Sequence, residues 1–185
     1  MLSCVFKWAV RIPLDLLMAI VGRLVAPVLP FFVQENGYLP RWLWWFQTPD
    51  NTCDGDAGHL ERWPRSGGIW TYLRRLAWFL RNVAYGFGID VLGVDVLPTD
   101  SWIVEGDESA GDQSGISGTC YRRVYRGSKL VAFHWYYVKH YRLLRRPCCV
   151  RVSLGWKLFS SYEAGRKHHT CYANPIKGWS LRGDE

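Results

Sequence analysis

The side chains best spaced for chemistry fall in one short run, Thr48-Pro-Asp-Asn-Thr-Cys-Asp-Gly-Asp-Ala-Gly-His-Leu-Glu61. Aligned to a twelve-residue calcium loop that starts at Asp50, it offers oxygen ligands from Asp50, Thr52, Asp54, Asp56 and Glu61, with Gly55 where the chain must turn sharply. A hard divalent cation takes clustered carboxylates of this kind, and a cation-dependent enzyme is one reading of the loop. Thr52 is a poor third-position ligand, however, and Gly58 and His59 stand where ligands are not usual. The competing reading, which we favour, needs no cofactor. Pro49 and Gly55 turn the chain, and the aspartates bond local N–H groups ahead of a helix.

Other reactive side chains form no legible catalytic set. His134, His140, His168 and His169 lack a carboxylate–histidine–nucleophile order, and no H-E-x-x-H or metal-spaced Cys/His group occurs. They read as strand or loop residues, so no catalytic residue is assigned and a non-enzymatic protein is expected. The six cysteines (Cys4, Cys53, Cys120, Cys148, Cys149, Cys171) contain no CxxC pair and read as reduced, mostly buried thiols. The run GDESAGDQSGISG after Glu105 has no following Lys-Ser/Thr, which excludes a Walker phosphate loop, and reads as a mobile surface loop.

Charge is segregated along the chain. Between Asn82 and Tyr121 there is no Lys or Arg, whereas Asp90, Asp95, Asp100, Glu105, Asp107, Glu108 and Asp112 are all acidic. Between Gln113 and Tyr162 there is no acid, and basic residues including Arg122, Arg123, Arg142, Arg145 and Arg146 accumulate. Either the two stretches fold against each other and their fields cancel, or those five arginines form a basic surface for lipid phosphates, nucleic acid or an acidic protein.

These groups must be positioned by two kinds of element. The segment from Pro13 to Val33 is apolar apart from Asp15 and Arg23, and Pro27 should kink or end its helix near Ala26. At about 100° per residue, Lys7, Arg11, Asp15, Gly22 and Arg23 share one polar sector, while Leu14, Leu17, Ile20, Val21, Leu24, Val25 and Val28 lie mostly elsewhere. That pattern favours an interfacial, tilted or re-entrant membrane segment over a plain span. Arg41, Trp42, Trp44, Trp45 and Phe46 follow as a collar of the type found at headgroup level, and 11 tryptophans in all exceed what one small core requires. From Ile69 to Ala84, Leu73, Leu76, Ala77, Leu80, Val83 and Ala84 make one helical face; Arg74, Arg75, Arg81 and Asn82 make the other.

Beyond Gly86 the pattern becomes alternating. Ser101–Glu105, Thr119–Arg126, Leu130–Tyr141 and Cys149–Leu158 read as strands, with a last short run near His169 to Ala173. Alternation puts Val131, Phe133, Trp135 and Tyr137 on one side of the third strand, and Val150, Val152, Leu154, Trp156 and Leu158 on one side of the fourth. The expected fold is therefore α+β: apolar and amphipathic N-terminal helices followed by a small antiparallel sheet domain. The segments are 1–47 for membrane association, 48–68 for the Asp/Gly-rich loop, 69–86 for the basic helix and 87–185 for the sheet.

The W-F-Q-T-P-D-N motif at Trp45 to Asn51 with Asp54-Gly55-Asp56, R-V-S-L-G-W-K-L at Arg151 to Leu158, and Ala173-Asn-Pro-Ile-Lys-Gly-Trp179 together resemble a family of small uncharacterised membrane-associated proteins of tailed bacteriophages and prophages. The resemblance implies a bacterial host and supplies no catalytic residues. The expectation is a non-enzymatic phage accessory protein on the cytoplasmic side of the host inner membrane. It would contact lipid and present its basic domain to a host or phage protein. A virion or DNA-handling component that binds nucleic acid through the basic sheet is the alternative. The sequence is silent on oligomeric state.

Overall fold

The computed structural model describes residues 2–143, 146–158, 167–168, 170–171 and 177–178. Its elements follow the order expected of an α+β chain. Helix α1 (Leu2–Val25) leads into two 3-10 turns, Leu29–Phe32 and Arg41–Phe46, then α2 (Ala57–Arg62), α3 (Gly68–Arg81) and α4 (Tyr85–Asp90). The strands are β1 (Val94–Asp95), β2 (Ser101–Gly106), β3 (Gly118–Arg126), β4 (Lys129–Leu143), β5 (Arg146–Trp156), β6 (Lys167–His168), β7 (Thr170–Cys171) and β8 (Lys177–Gly178). The chain gathers into two compact units, Pro13–Gly93 and a second made of Met1–Ile12 with Val94–Glu185. The sequence boundaries at 47 and 68 thus fall inside the helical unit, and the first twelve residues join the sheet unit.

In the helical unit α1 stops where its prolines require. Ala26 N still donates to Gly22 O at 2.9 Å, and the Pro27 ring then prevents another turn. Ala26, Leu29, Leu39, Leu43, Cys53 and Phe79 form one core cluster, and Ala84, Phe87 and Leu92 with Met18, Phe46 and Val83 form a second. Two glycines set the packing distances. A Cβ at Gly22 would lie 2.6 Å from Val83 Cγ1, and one at Gly86 would lie 2.5 Å from the Trp44 carbonyl oxygen. The buried Gln47 side chain accepts the Leu39 amide at 2.7 Å, which ties the ends of the second 3-10 turn together.

In the sheet unit β2 to β5 form an antiparallel meander in the order β2-β3-β4-β5-β7, with β8 also on β5 and β1 pairing β6 separately. Cys4 and Trp8 from the start of α1 pack with Val96, Val124, Phe133 and Trp156; Trp8 meets Phe133 edge-on at 5.6 Å and Arg11 lies over the Trp156 ring at 5.7 Å. Gly155 adopts φ 105°, and a Cβ there would sit 2.1 Å from the Phe133 carbonyl oxygen, so only glycine fits this approach of β5 to β4.

The register sets the orientation of β4. The side carrying Leu130, Ala132, His134, Tyr136 and Val138 is buried, whereas Trp135 and Lys139 on the side of Val131, Phe133 and Tyr137 are exposed. The reason is the Gly/Ser/Asp segment between β2 and β3, which is not a detached surface loop. It folds over that side of the sheet: Ala110 packs on Tyr136, Val138 and Cys149, the Asp112 amide donates to Tyr136 Oη at 3.1 Å, and Arg151 reaches Asp112 at 2.7 Å. The polar side of the sheet therefore becomes interior because a polar segment satisfies it.

His134 is fully enclosed in this layer. Its Nδ1 lies 3.0 Å from the Leu158 carbonyl, which can only accept, so Nδ1 carries the proton and Nε2 accepts from Ser153 Oγ at 3.0 Å. Burial lowers its pKa from 6.5 to about 4. A depressed histidine pKa makes the unfolded chain bind the proton first, so this contribution is complete above about pH 6.5 and lost as the pH falls toward 4. Between pH 7 and pH 4 the wild-type chain is expected to lose roughly 3 kcal/mol more folding stability than His134→Gln, measured by urea titration; equal pH profiles would refute the assignment.

Candidate functional site

Helix α1 packs with the wrong side out for a soluble helix. Asp15, Ala19, Gly22 and Ala26 recur at helical spacing and are buried, so the inward seam consists of small residues and one carboxylate. The bulky residues Leu14, Leu17, Ile20 and Leu24 point outward, Leu24 with 74% of its surface exposed. The reason lies in the partner surface: Val83 and Ala84 approach so closely at Gly22 that a branched side chain has no room. The predicted polar sector is thereby divided, with Asp15 and Gly22 turned toward the protein and Arg23 left at the surface, where its Nη1 donates to Ala19 O at 3.1 Å.

The apolar surface continues past the helix. Val28, Phe31 and Phe32 are exposed on the first 3-10 turn, and Trp42, 69% exposed, meets Phe32 edge-on at 5.5 Å. Phe31 also contacts Tyr72 at 5.3 Å, and Tyr72 Oη donates to Pro27 O at 3.0 Å, so α3 braces this corner. Of the expected collar, Arg41, Trp42 and Trp45 lie at the surface. Trp44 is half-buried and donates from Nε1 to Asp90 at 2.9 Å, while Phe46 packs against both core clusters. Further round, Ile69 and Trp70 are exposed at the start of α3, with the Arg65 guanidinium 4.6 Å above the Trp70 ring. Among the described residues no helix is long and apolar enough to cross a membrane.

In the aspartate-rich loop the central carboxylates bond within the protein. Asp54 receives Arg74 at 2.7 Å and Arg75 at 2.9 and 3.2 Å. Burial alone would raise its carboxyl pKa, but the hydrogen bonds from Arg75 and Arg74 outweigh burial and hold it below the usual carboxylate range. Asp56 caps α2 by accepting the His59 amide at 2.7 Å, and Asp50 and Glu61 are exposed. No group of three or more His, Cys, Asp or Glu side chains able to hold a metal occurs among the described residues. The same pairing explains α3: its arginine face turns toward the loop, its buried residues are Trp78 and Phe79, and Leu80 of the leucine face is exposed.

The acidic and basic stretches of the sheet unit also meet. Arg122 pairs with Glu108 at 3.4 Å, Arg126 with Asp100 at 2.8 Å, and Arg123 with Glu105. Arg122 is buried, Arg123 is half-buried and Arg142 is exposed near the end of β4. Arg145 and the side chain of Arg146 lie outside the described residues, as do the side chains of His168, His169 and Cys171 and most of the Ala173–Trp179 motif. Of the other five cysteines, Cys4, Cys53, Cys120 and Cys149 are buried and Cys148 is half-buried.

The signal missed in the sequence was the small-residue seam of α1. Asp15 made it look polar and solvent-facing, whereas the fold buries Asp15 without a hydrogen-bond partner for Oδ2 among the described residues. Burial raises its pKa from 3.8 to about 6. A raised carboxyl pKa gives stability that is complete below about pH 4 and lost as the pH rises through 6. Asp15→Asn is accordingly expected to be more stable than wild type at pH 7.5 and to lack this dependence; a lower melting midpoint would contradict it. Asp54→Ala should cost about 1–3 kcal/mol by stranding two partly exposed guanidinium groups. The wild-type midpoint should not move on adding calcium, and a rise with calcium would restore the cation reading of the loop.

No curated protein and no solved structure matches this chain. One protein family does, over residues 1–181. That match runs through both the helical unit and the strands of the meander, and on that ground the chain belongs to the DUF7338 family, a family of unknown function.

Proposed function

We propose that this protein is a non-enzymatic accessory protein that sits peripherally on a membrane through the outward surface of its helical unit, and that its setting is the cytoplasmic face of a phage host's inner membrane. The observation that carries the reading is the inverted packing of α1: small residues inward, and Leu14, Leu17, Ile20, Leu24, Val28, Phe31 and Phe32 outward. A soluble helix normally buries such residues, each worth roughly 1.5–3 kcal/mol on full burial. Here they stay in one run on α1 and the turn after it, flanked by Arg23, Arg41 and Trp42. Apolar residues rimmed by arginine and tryptophan suit the boundary between acyl chains and headgroups, where indole and guanidinium both find polar partners. The length and composition of the helices favour lying in the interface over spanning it.

The phage setting rests on the sequence motifs, and the sheet unit supplies the surface for a partner. The ion pairs that occupy Arg122, Arg123 and Arg126 weigh against phosphate-backbone binding as the main role.

The test is vesicle flotation of the full chain with phosphatidylethanolamine–phosphatidylglycerol liposomes. Wild-type protein should float with lipid, and Leu24→Ser combined with Phe31→Ser should reduce partitioning by on the order of a hundredfold, at about a factor of ten for each 1.4 kcal/mol. Brominated lipids should quench Trp42 more than Trp78, which is buried. Wild-type protein that stays with the aqueous phase at every lipid concentration would sink the proposal.

A further inference from the structure

The turn before α3 carries a basic and aromatic tip that the apolar surface of α1 does not account for. From Arg62 to Ile89 the chain has five arginines and no carboxylate. Arg74 and Arg75 are held by Asp54, and Arg81 lies 3.8 Å from Asp56. Arg62 and Arg65 are exposed, and neither forms an ion pair with a described residue. The Gly67–Gly68 turn, at φ 88° and 45°, brings Arg65 back over the Trp70 indole, 4.6 Å from its centroid. A guanidinium stacked in this way is weakly hydrated on one face, while its N–H edge stays open to a pair of oxyanion oxygens. The tip also adjoins the apolar corner of the helical unit. Ile69, 61% exposed, stands one turn from Tyr72 on the same stripe of α3, and Tyr72 contacts Phe31 and Pro27.

We infer that this tip reads the lipid headgroup: Arg65, supported by Trp70, and Arg62 bind phosphates of anionic phospholipid and make the protein prefer anionic bilayers to zwitterionic ones. The inference rests on the membrane reading above, which itself needs only the apolar residues. Charge complementarity selects the occupant. A zwitterionic headgroup carries an amine that offsets its own phosphate, whereas guanidinium groups without carboxylate partners complement a surface of net negative charge. The apolar residues beside them point to a bilayer as the source of that phosphate. Ile69 and Trp70 can enter the acyl boundary directly beneath the headgroups that Arg62 and Arg65 engage.

The test is flotation of the full chain with phosphatidylcholine vesicles and with vesicles of equal parts phosphatidylcholine and phosphatidylglycerol. Wild-type protein should partition on the order of a hundredfold more strongly into the anionic vesicles, and added salt should shrink that ratio. Arg62→Gln with Arg65→Gln should lower the ratio by roughly twentyfold, at about fivefold for each arginine. Lys129→Gln with Lys139→Gln removes the same charge from exposed positions of the sheet unit and should leave the ratio unchanged. Equal wild-type partitioning into both vesicles would overturn this inference and leave the membrane reading standing. An equal fall for the lysine pair would reduce the preference to net charge and overturn it too. A chain that floats with neither vesicle would remove both.

Discussion

The helical unit depends on the close approach of α1 to the Val83–Ala84 turn, which exists because position 22 is glycine. At 2.6 Å from an imagined Cβ to Val83, any side chain would lever the helix away. The seam of Asp15, Ala19, Gly22 and Ala26 follows from that contact, since neighbouring seam positions must also be small. So does the outward direction of Leu14, Leu17, Ile20 and Leu24, because residues on the opposite side of a helix have nowhere else to point. Ala84 itself is held in the left-handed region at φ 47°, the one non-glycine residue so placed among those described. A strained turn and a small-residue seam together create an apolar exterior, and neither alone would.

The sheet unit solves a similar problem by electrostatics. Arg122, His134, Tyr136, Ser153 and Arg151 share one side of the meander, a poor interior by composition. The segment between β2 and β3 makes it workable by delivering Glu108 and Asp112 to the arginines, an amide to Tyr136 and a carbonyl to His140. Tyr136, Arg122, His140 and Arg151 then each have a partner that water would otherwise supply, at a net gain of about 1 kcal/mol per bond. Part of the segregation of charge along the chain is thus consumed in folding, through Arg122, Arg123, Arg126 and Arg151.

The same substitution of roles occurs at Asp54. Asp54, one of the carboxylates spaced like calcium ligands, accepts from guanidinium groups on α3, about twenty residues away in sequence. Local spacing shows that oxygen ligands are available. It does not show that two arginines from a distant helix reach them first.

Much of the architecture was legible from local rules. The end of α1 at Pro27, the helix near Ile69, the four long strands and their antiparallel order all follow from proline stereochemistry, helical periodicity and alternation. These are properties of a residue and its near neighbours. Which side of each element faces inward was not legible. For α1 and β4 the more apolar side is the more exposed one, and for α3 the arginine face turns toward Asp54. Those choices depend on Gly22 meeting Val83, on Asp112 meeting Arg151 and on Asp54 meeting Arg74. Such contacts join residues twenty or more positions apart, so tertiary structure decided which side of each element packs inward.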